Sequence, residues 1–174
     1  MRINMQSFHS SRALYVALCL CLILVAWHRA RTQPQSQSGK ESPLTLHATG
    51  PFDVKVVPQD DKSEDPLFGR MMIDKQYHGD LEGTGKGQML TAGTSVKGSG
   101  AYVAIEKVTG SVKGRSGSFA LQHSGTMTQG APQLTITVVP DSGTGELKGI
   151  RGKMGINIAD GKHSYDFEYT LPAQ

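Results

Sequence analysis

Short runs in which apolar and polar residues alternate fill the chain from residue 44 onward. In the clearest run, HSYDFEYTL, every second residue from Tyr165 to Leu171 is apolar. A period of two is typical of a β-strand with one buried face. Glycines separate the runs, since 19 of the 21 glycines lie between residues 69 and 161. This pattern predicts an all-β domain, either a sandwich or a barrel.

No stretch after residue 43 keeps the period of an amphipathic helix. The pattern predicts eight strands, and the turn residues between them set their approximate ends. These strands lie at residues 44–57, 69–78, 81–91, 95–110, 116–128, 133–140, 146–158 and 162–171.

The dipeptide Asp160-Gly161 predicts a two-residue hairpin turn, because both residues tolerate the positive φ angles that such a turn needs. With this turn, apolar residues face apolar residues across the hairpin, and a lysine faces a glutamate, as cross-strand pairing favours. The predicted pairs are Ile158 with His163, Ile156 with Tyr165, Met154 with Phe167, Asn157 with Ser164, and Lys153 with Glu168.

The stretch from Gly98 to Met127 predicts a second hairpin. We take Gly114-Arg115 as its two-residue turn, which places Glu106 opposite His123. A bulge at Gly110 would shift this register by one residue. The same register places Tyr102 and Phe119 on the face of Glu106, and pairs Leu121 with Val108 and Gly125 with Ala104.

The residues before the domain, 1–43, differ from it in composition. Residues 13–27 form an unbroken apolar run, ALYVALCLCLILVAW, which follows two arginines. This is the layout of a secretory signal peptide, and as a helix the run would span roughly 22 Å of the roughly 30 Å of a bilayer core. We expect residues 1–30 to be a signal peptide of an exported (periplasmic or secreted) protein, with an uncleaved N-terminal membrane anchor as the alternative. Residues 31–43, RTQPQSQSGKESP, predict a disordered linker, and residues 44–174 the barrel domain.

Charge and cysteine content exclude several classes of function. The net charge of +3 comes from residues 1–43, since from residue 44 onward 13 Lys and Arg stand against 14 Asp and Glu. We therefore expect no nucleic-acid partner. Both cysteines, Cys19 and Cys21, precede the domain, and its four histidines are isolated, so we expect no metal and no cofactor. The GTGKG and GRSGS segments lack the spacing of a P-loop and of a hydrolase nucleophile, respectively.

The domain contains the segments KQYHGDLEG (75–83), Met89-Leu90, AYVAIE (101–106), GRSGSF (114–119), LQHSG (121–125), VVPDSGTG (138–145) and DGKH (160–163). Together these segments resemble the domain-of-unknown-function 3224 family of small β-barrel proteins, over about residues 50–172. The resemblance implies a single antiparallel barrel similar to that of allene oxide cyclase. The apolar run before it, which we expect to form a helix, lies outside the matching segments. The resemblance implies no activity, because a shared fold does not fix a function.

Glu106 and His123 are the candidate catalytic pair. A carboxylate beside an imidazole holds the ring in one tautomer and raises its basicity, as a general base requires. A polar pair that points into a small barrel is either hydrogen-bonded for structural reasons or functional. A structural pair that closes the core is therefore the alternative.

Four further residues are candidate ligand contacts. Arg115, at the tip of the second hairpin, would reach over a barrel mouth and hold an anion, or would simply be solvated. Lys75, Tyr102 and Gln122 would line the barrel wall, as ligand contacts or as packing residues. We expect His163, which flanks a turn, to be exposed.

These residues predict a protein that binds a small apolar or amphipathic ligand in the barrel mouth, since barrels of about eight strands have room for one ligand or for packed side chains. One alternative is an isomerase or cyclase-like enzyme with Glu106 and His123 as its acid–base pair. Another is a fully packed barrel that acts through its surface or as a homo-oligomer. A cavity beside His123, or its absence, separates these alternatives. We expect membrane contact only through the N-terminal segment.

Overall fold

The computed structural model of the protein describes residues 44–60 and 65–173. These residues form a closed barrel in which each strand pairs antiparallel with the next and the last with the first. The predicted all-β, eight-strand antiparallel barrel is confirmed. Its strands are β1 (Leu46–Pro58), β2 (Phe68–Tyr77), β3 (Leu81–Gly93), β4 (Gly100–Val112), β5 (Arg115–Thr128), β6 (Ala131–Val138), β7 (Arg151–Ala159) and β8 (Lys162–Thr170).

The predicted N-terminal helix and linker, residues 1–43, lie outside the described residues. Within the described ranges, the structure contains no helix with the length and apolar character needed to span a membrane. Two strands begin later than the pattern predicts, at Gly100 and Arg151. The reason is left-handed backbone at glycines before each strand, with φ of 75° at Gly98 and 80° at Gly149, which interrupts extended structure. A 3₁₀ turn, Gly145–Leu147, occupies part of the β6–β7 connection.

The β7–β8 hairpin has the predicted register at each of the five predicted pairs. Asp160 and Gly161 form its turn, with φ of 51° and 74°. The Lys153 Nζ lies 3.3 Å from a carboxylate oxygen of Glu168 on the outer face. The dipeptide therefore determines which face of both strands is buried.

The predicted register of the β4–β5 hairpin was wrong. Its turn is Lys113-Gly114, and Arg115 is already the first residue of β5. The pairing moves by two residues, but side chains alternate with a period of two, so the same residues still face inward. The observed pairs include Glu106 with Leu121, Ala104 with His123, Tyr102 with Gly125 and, without a bulge, Gly110 with Gly117.

The barrel interior consists of two different halves. The half near the β2–β3, β4–β5 and β6–β7 connections is packed, with Phe167 stacked between Phe119 and Tyr169 at centroid distances of 5.5 and 5.1 Å. Leu147 and Ile150 of the β6–β7 connection are 1% and 0% exposed and close this end. The other half, toward the β3–β4 and β5–β6 connections, contains a cavity.

Candidate functional site

The cavity has a volume of about 520 Å³ and is largely apolar. Apolar side chains from β1 to β7 form its walls, and its titratable side chains come from β2, β4, β5 and β8. In the part of the chain that the structure describes, no Asp or Glu lines it. Its apolar lining includes Val54, Val56, Ile73, Met89 and Ile156, and its titratable lining residues are Lys75, Tyr102, His123 and His163.

Four polar side chains, Lys75, Tyr77, Glu106 and His123, lie between the cavity and the packed half, and we call them the polar floor. Lys75 Nζ donates hydrogen bonds to Glu106 Oε2 at 2.8 Å and to Tyr77 Oη at 3.2 Å. Tyr77 Oη donates to Glu106 Oε1 at 2.8 Å. Lys75 is 5% exposed and Glu106 is 0% exposed, so this is a fully desolvated ion pair that three hydrogen bonds hold in place.

His123 completes the polar floor but is not fully satisfied there. Its Nε2 lies 3.1 Å from Glu106 Oε2, and its side chain is 3% exposed. The direction of the contact is poor, so Nε2 has no hydrogen-bond partner among the described residues. A buried ring nitrogen without a partner is costly in an apolar interior. His123 therefore has an unsatisfied ring nitrogen beside Glu106, and its ring lines the base of the cavity.

The charges of the polar floor follow from these contacts. Burial alone would raise the pKa of Glu106, but the His123 contact, the Lys75 charge and the hydrogen bonds from Lys75 and Tyr77 outweigh it, and the pKa lies below that of an ordinary glutamate. Burial first, and the Glu106 charge second, raise the pKa of Tyr77 and of Tyr102. Both phenols are therefore protonated at neutral pH and can donate.

Strand alternation and two glycines build this arrangement. Lys75 and Tyr77 are two residues apart on β2, so both point inward. A Cβ at Gly85, on the neighbouring strand, would overlap the Glu106 carboxylate. A Cβ at Gly125, directly opposite Tyr102, would overlap the tyrosine ring. The glycines therefore leave the space that the polar side chains occupy.

A family model described as a protein of unknown function, DUF3224, matches residues 48–169. The chain belongs to the DUF3224 family. A solved structure, described as a protein with unknown function from the DUF3224 family of Shewanella oneidensis MR-1, is 47% identical, with a TM-score of 0.71, and the match covers 75% of this chain and 100% of that chain. None of the curated proteins matches the chain. The resemblance that the sequence motifs suggest is confirmed.

The DUF3224 barrel brings together three of the six predicted site residues, Lys75, Glu106 and His123. Tyr102 lines the cavity beside them. Glu106 does not line the cavity, because Lys75, Tyr77 and His123 surround its carboxylate. It can therefore act on a ligand only through its neighbours.

The two remaining predicted residues lie elsewhere in the DUF3224 barrel. Gln122 is exposed on the outer face, because it lies between the inward-facing Leu121 and His123. Arg115 lies at the β4–β5 connection, which belongs to the packed end. The hypothesis that Arg115 reaches over the ligand-binding mouth is therefore corrected, since the cavity opens toward the opposite end.

The sequence interpretation missed Tyr77 and His163. His163 is half-buried, lines the cavity and lies 5.2 Å from the Phe52 ring, so the expectation that it is exposed was wrong. Strand alternation could have identified both residues as inward-facing. His163 lies two residues before the inward-facing Tyr165 on β8, and Tyr77 lies two residues after Lys75 on β2. Among the described residues, no group of three or more His, Cys, Asp or Glu could hold a metal ion.

Proposed function

We propose that this DUF3224 protein binds a small amphipathic molecule inside its barrel. The apolar body of the ligand lies along the cavity walls, and its polar end lies on Lys75 and His123. The observation that carries the proposal is a cavity of about 520 Å³ whose apolar walls end at these two polar side chains. Concave sites of this size with mostly apolar walls and a few polar groups are typical small-molecule sites.

The size of the cavity limits the size of the ligand. An apolar protein cavity of roughly 150 Å³ holds benzene. In proportion, a cavity of about 520 Å³ would accommodate roughly 20 non-hydrogen atoms, on the same benzene scale. This is the size of a long-chain fatty acid or of a compound with two to three rings.

The polar floor also supports a binding role. A buried ion pair is rarely more stabilising than apolar residues of the same volume. Lys75 and Glu106 are nevertheless fully desolvated at the base of an otherwise apolar cavity. Contact between Lys75, His123 and a polar group of a ligand would explain why the barrel keeps a buried ion pair at this position.

Native mass spectrometry of the full-length protein purified from its host tests the proposal by detecting a co-purifying small molecule. Val54→Phe would fill the cavity above the floor, because Val54 lines the cavity and pairs with Lys75. Val103→Phe is the matched control, since Val103 is 55% exposed on the outer face. We expect a bound molecule in the wild type and in Val103→Phe and none in Val54→Phe. No bound molecule in any of the three, or equal amounts in all, would contradict the proposal.

An isomerase or cyclase-like activity is a second candidate. The 3.1 Å distance between His123 Nε2 and Glu106 Oε2 favours it, with His123 as the acid–base group and Glu106 as a positioning residue. In this case His123→Ala and Glu106→Gln would abolish turnover of the recovered ligand and retain its binding. A loss of stability without loss of turnover would leave the pair with a structural role.

Self-association is a third candidate, supported by the outer face of β2, β3 and β4. Its large apolar side chains Phe68, Leu90, Val103 and Ile105 are 55%, 58%, 55% and 54% exposed. A contiguous patch of this kind is a typical protein contact, and we propose a second copy of the chain as its occupant. Sedimentation velocity tests this proposal, with a dimer expected for the wild type and a monomer for Leu90→Lys. A monomeric wild type would contradict it.

Export is proposed on the apolar run of residues 13–27. Fractionation of cells and mass measurement of the mature N-terminus test it. Loss of about the first 30 residues indicates a cleaved signal peptide, an intact chain in the membrane fraction indicates the anchor, and an intact chain in the cytosol contradicts both.

A further inference from the structure

We propose that the polar end of the ligand is a carboxylate, and that its binding places a proton on His123. This inference rests on the ligand-binding role proposed above and goes further by naming the head group.

The polar floor offers donors without partners. An ammonium group has three N–H donors, and Lys75 uses two of them, for Tyr77 and Glu106. The His123 ring lines the cavity, while its buried Nε2 faces Glu106 Oε2 at 3.1 Å and makes no hydrogen bond. Tyr102, whose raised pKa keeps its hydroxyl protonated, makes no hydrogen bond among the described residues. A ligand group that meets these three side chains has to be rich in acceptors, and a carboxylate has two acceptor oxygens.

The titratable residues that line the cavity favour an anion over a cation. They are Lys75, two histidines and Tyr102, and in the described ranges no carboxylate is among them. Glu106 is the nearest acidic group, and it is behind Lys75 and fully buried. A cationic head group would therefore meet an ammonium group and no free carboxylate.

The total charge of the polar floor defines the charge of the head group. Lys75 and Glu106 together are neutral, so a bound carboxylate alone would leave one uncompensated negative charge in an apolar cavity, which is unfavourable. Imidazole can change its charge near neutral pH. If His123 takes up one proton from the solvent, two cations face two carboxylates and the site is neutral. A dianionic phosphate would still leave an excess negative charge.

The surroundings of His123 fit this protonated state. The titratable groups around the floor are Lys75 and Tyr77 from β2, Glu106 and Tyr102 from β4, and His163 and Tyr165 from β8, of which Tyr165 packs against Tyr77. Strand β6 places the apolar Ile136 opposite His123. Protonated His123 would lie between the Glu106 carboxylate, 3.1 Å from Nε2, and the carboxylate of the ligand. The like charge of Lys75 opposes protonation, but each cation then has a carboxylate as its partner.

Isothermal titration calorimetry with decanoate and 1-decanol tests the inference, because both probes have the same tail. Hydrogen bonds to a charged group are stronger than those to a neutral one, so we expect decanoate to bind at least about tenfold more tightly than decanol. Repeating the titration in buffers of different ionisation enthalpy should show uptake of about one proton with decanoate and none with decanol. His123→Gln should remove the proton uptake.

Tyr102→Phe is the second variant, because Tyr102 is only half-buried and the change removes only a hydroxyl group. It should weaken decanoate binding and leave decanol binding unchanged. If both probes bind equally and no proton is taken up, the binding role stands and the carboxylate inference is overturned. If neither probe binds, the binding role itself is contradicted. Tight decanoate binding without proton uptake overturns the role of His123.

Discussion

Replacing Lys75 with Met tests whether the polar floor is a true buried ion pair. Met has nearly the length of Lys but no charge, so the fully buried Glu106 would lose the cation that lies 2.8 Å away. Breaking a buried pair by removing one partner costs about 3–5 kcal/mol. The hydrogen bond from Tyr77 to Glu106 remains, so we expect a loss of about 3 kcal/mol. Because domains are stable by about 5–15 kcal/mol, this is a large part of the free energy of unfolding.

Urea unfolding at neutral pH, followed by circular dichroism, measures this loss, provided that the m-values of the variants agree. Lys153→Met is the matched control. Lys153 pairs with Glu168 at 3.3 Å, but the two side chains are 68% and 41% exposed. Such a pair contributes about 0–1 kcal/mol, so the control should change stability little.

A double-mutant cycle separates the ion pair from other effects of the substitution. Lys75→Met/Glu106→Gln removes both charges and should be more stable than the sum of the single changes predicts, by about 1–3 kcal/mol. The reasoning is refuted if Lys75→Met costs no more than Lys153→Met, or if the two floor substitutions are simply additive.

Three further predictions concern the floor and its scaffold. The pKa of Glu106 is lower in the fold than its ordinary value of 4.5, so its ionised form stabilises the protein above that value, and the contribution is lost as the pH falls through the folded pKa. Glu106→Gln should therefore flatten the acid-side decrease in the free energy of unfolding, and equal slopes in urea titrations would contradict this. Gly85→Ala should lower the free energy of unfolding by about 1–3 kcal/mol, because its Cβ would overlap the Glu106 carboxylate. The control Gly155→Ala, whose Cβ would have its nearest neighbour at 3.7 Å, should be neutral or slightly stabilising. Equal changes in melting temperature for the two variants would refute the steric argument. Gly161→Ala has open space but a φ of 74°, so it should cost about 1–2 kcal/mol through the backbone alone, and unchanged thermal unfolding would show that the turn does not require glycine.

The strands and the β7–β8 register could be predicted because both depend on local chemistry. Alternation with a period of two identifies a strand and its buried face without knowledge of its partner. Asp160-Gly161 then leaves one turn geometry, and every pair of the hairpin follows from it. Local information of this kind is also sufficient to place Glu106 and His123 on one face, since a two-residue error in register keeps that face.

The β4–β5 turn could not be identified from the sequence, because Gly114 can occupy either position of a two-residue turn. The structure places Lys113 before it with a φ of 47°, a conformation that favours glycine or asparagine and that lysine rarely adopts. Either turn leaves Arg115 at the β4–β5 connection, which the structure places at the packed end. The expected ligand contact at Arg115 was therefore wrong because the sequence does not show which end of the barrel contains the cavity.

The division of the interior into a packed half and a cavity was also beyond the sequence. It depends on how the inward-facing residues of all eight strands fill a closed barrel, which no single strand determines. Glycines at the cavity end, such as Gly93 and Gly100, leave its walls thin, whereas Leu147 and Ile150 from a long connection fill the other end. Parity also identifies Tyr77 as inward-facing, but only the three-dimensional structure shows its hydrogen bond to Glu106.

A crystal structure with 10-bromodecanoate tests the central claim most directly, because anomalous scattering from bromine locates the tail independently of the head group. We predict bromine at the open end of the cavity, near Met127 and Pro132, and the carboxylate within about 3 Å of Lys75 Nζ and of the His123 ring. Bromine against the polar floor with the carboxylate at the mouth, or bromine on the outer face of β3 and β4 with an empty cavity, would contradict the account.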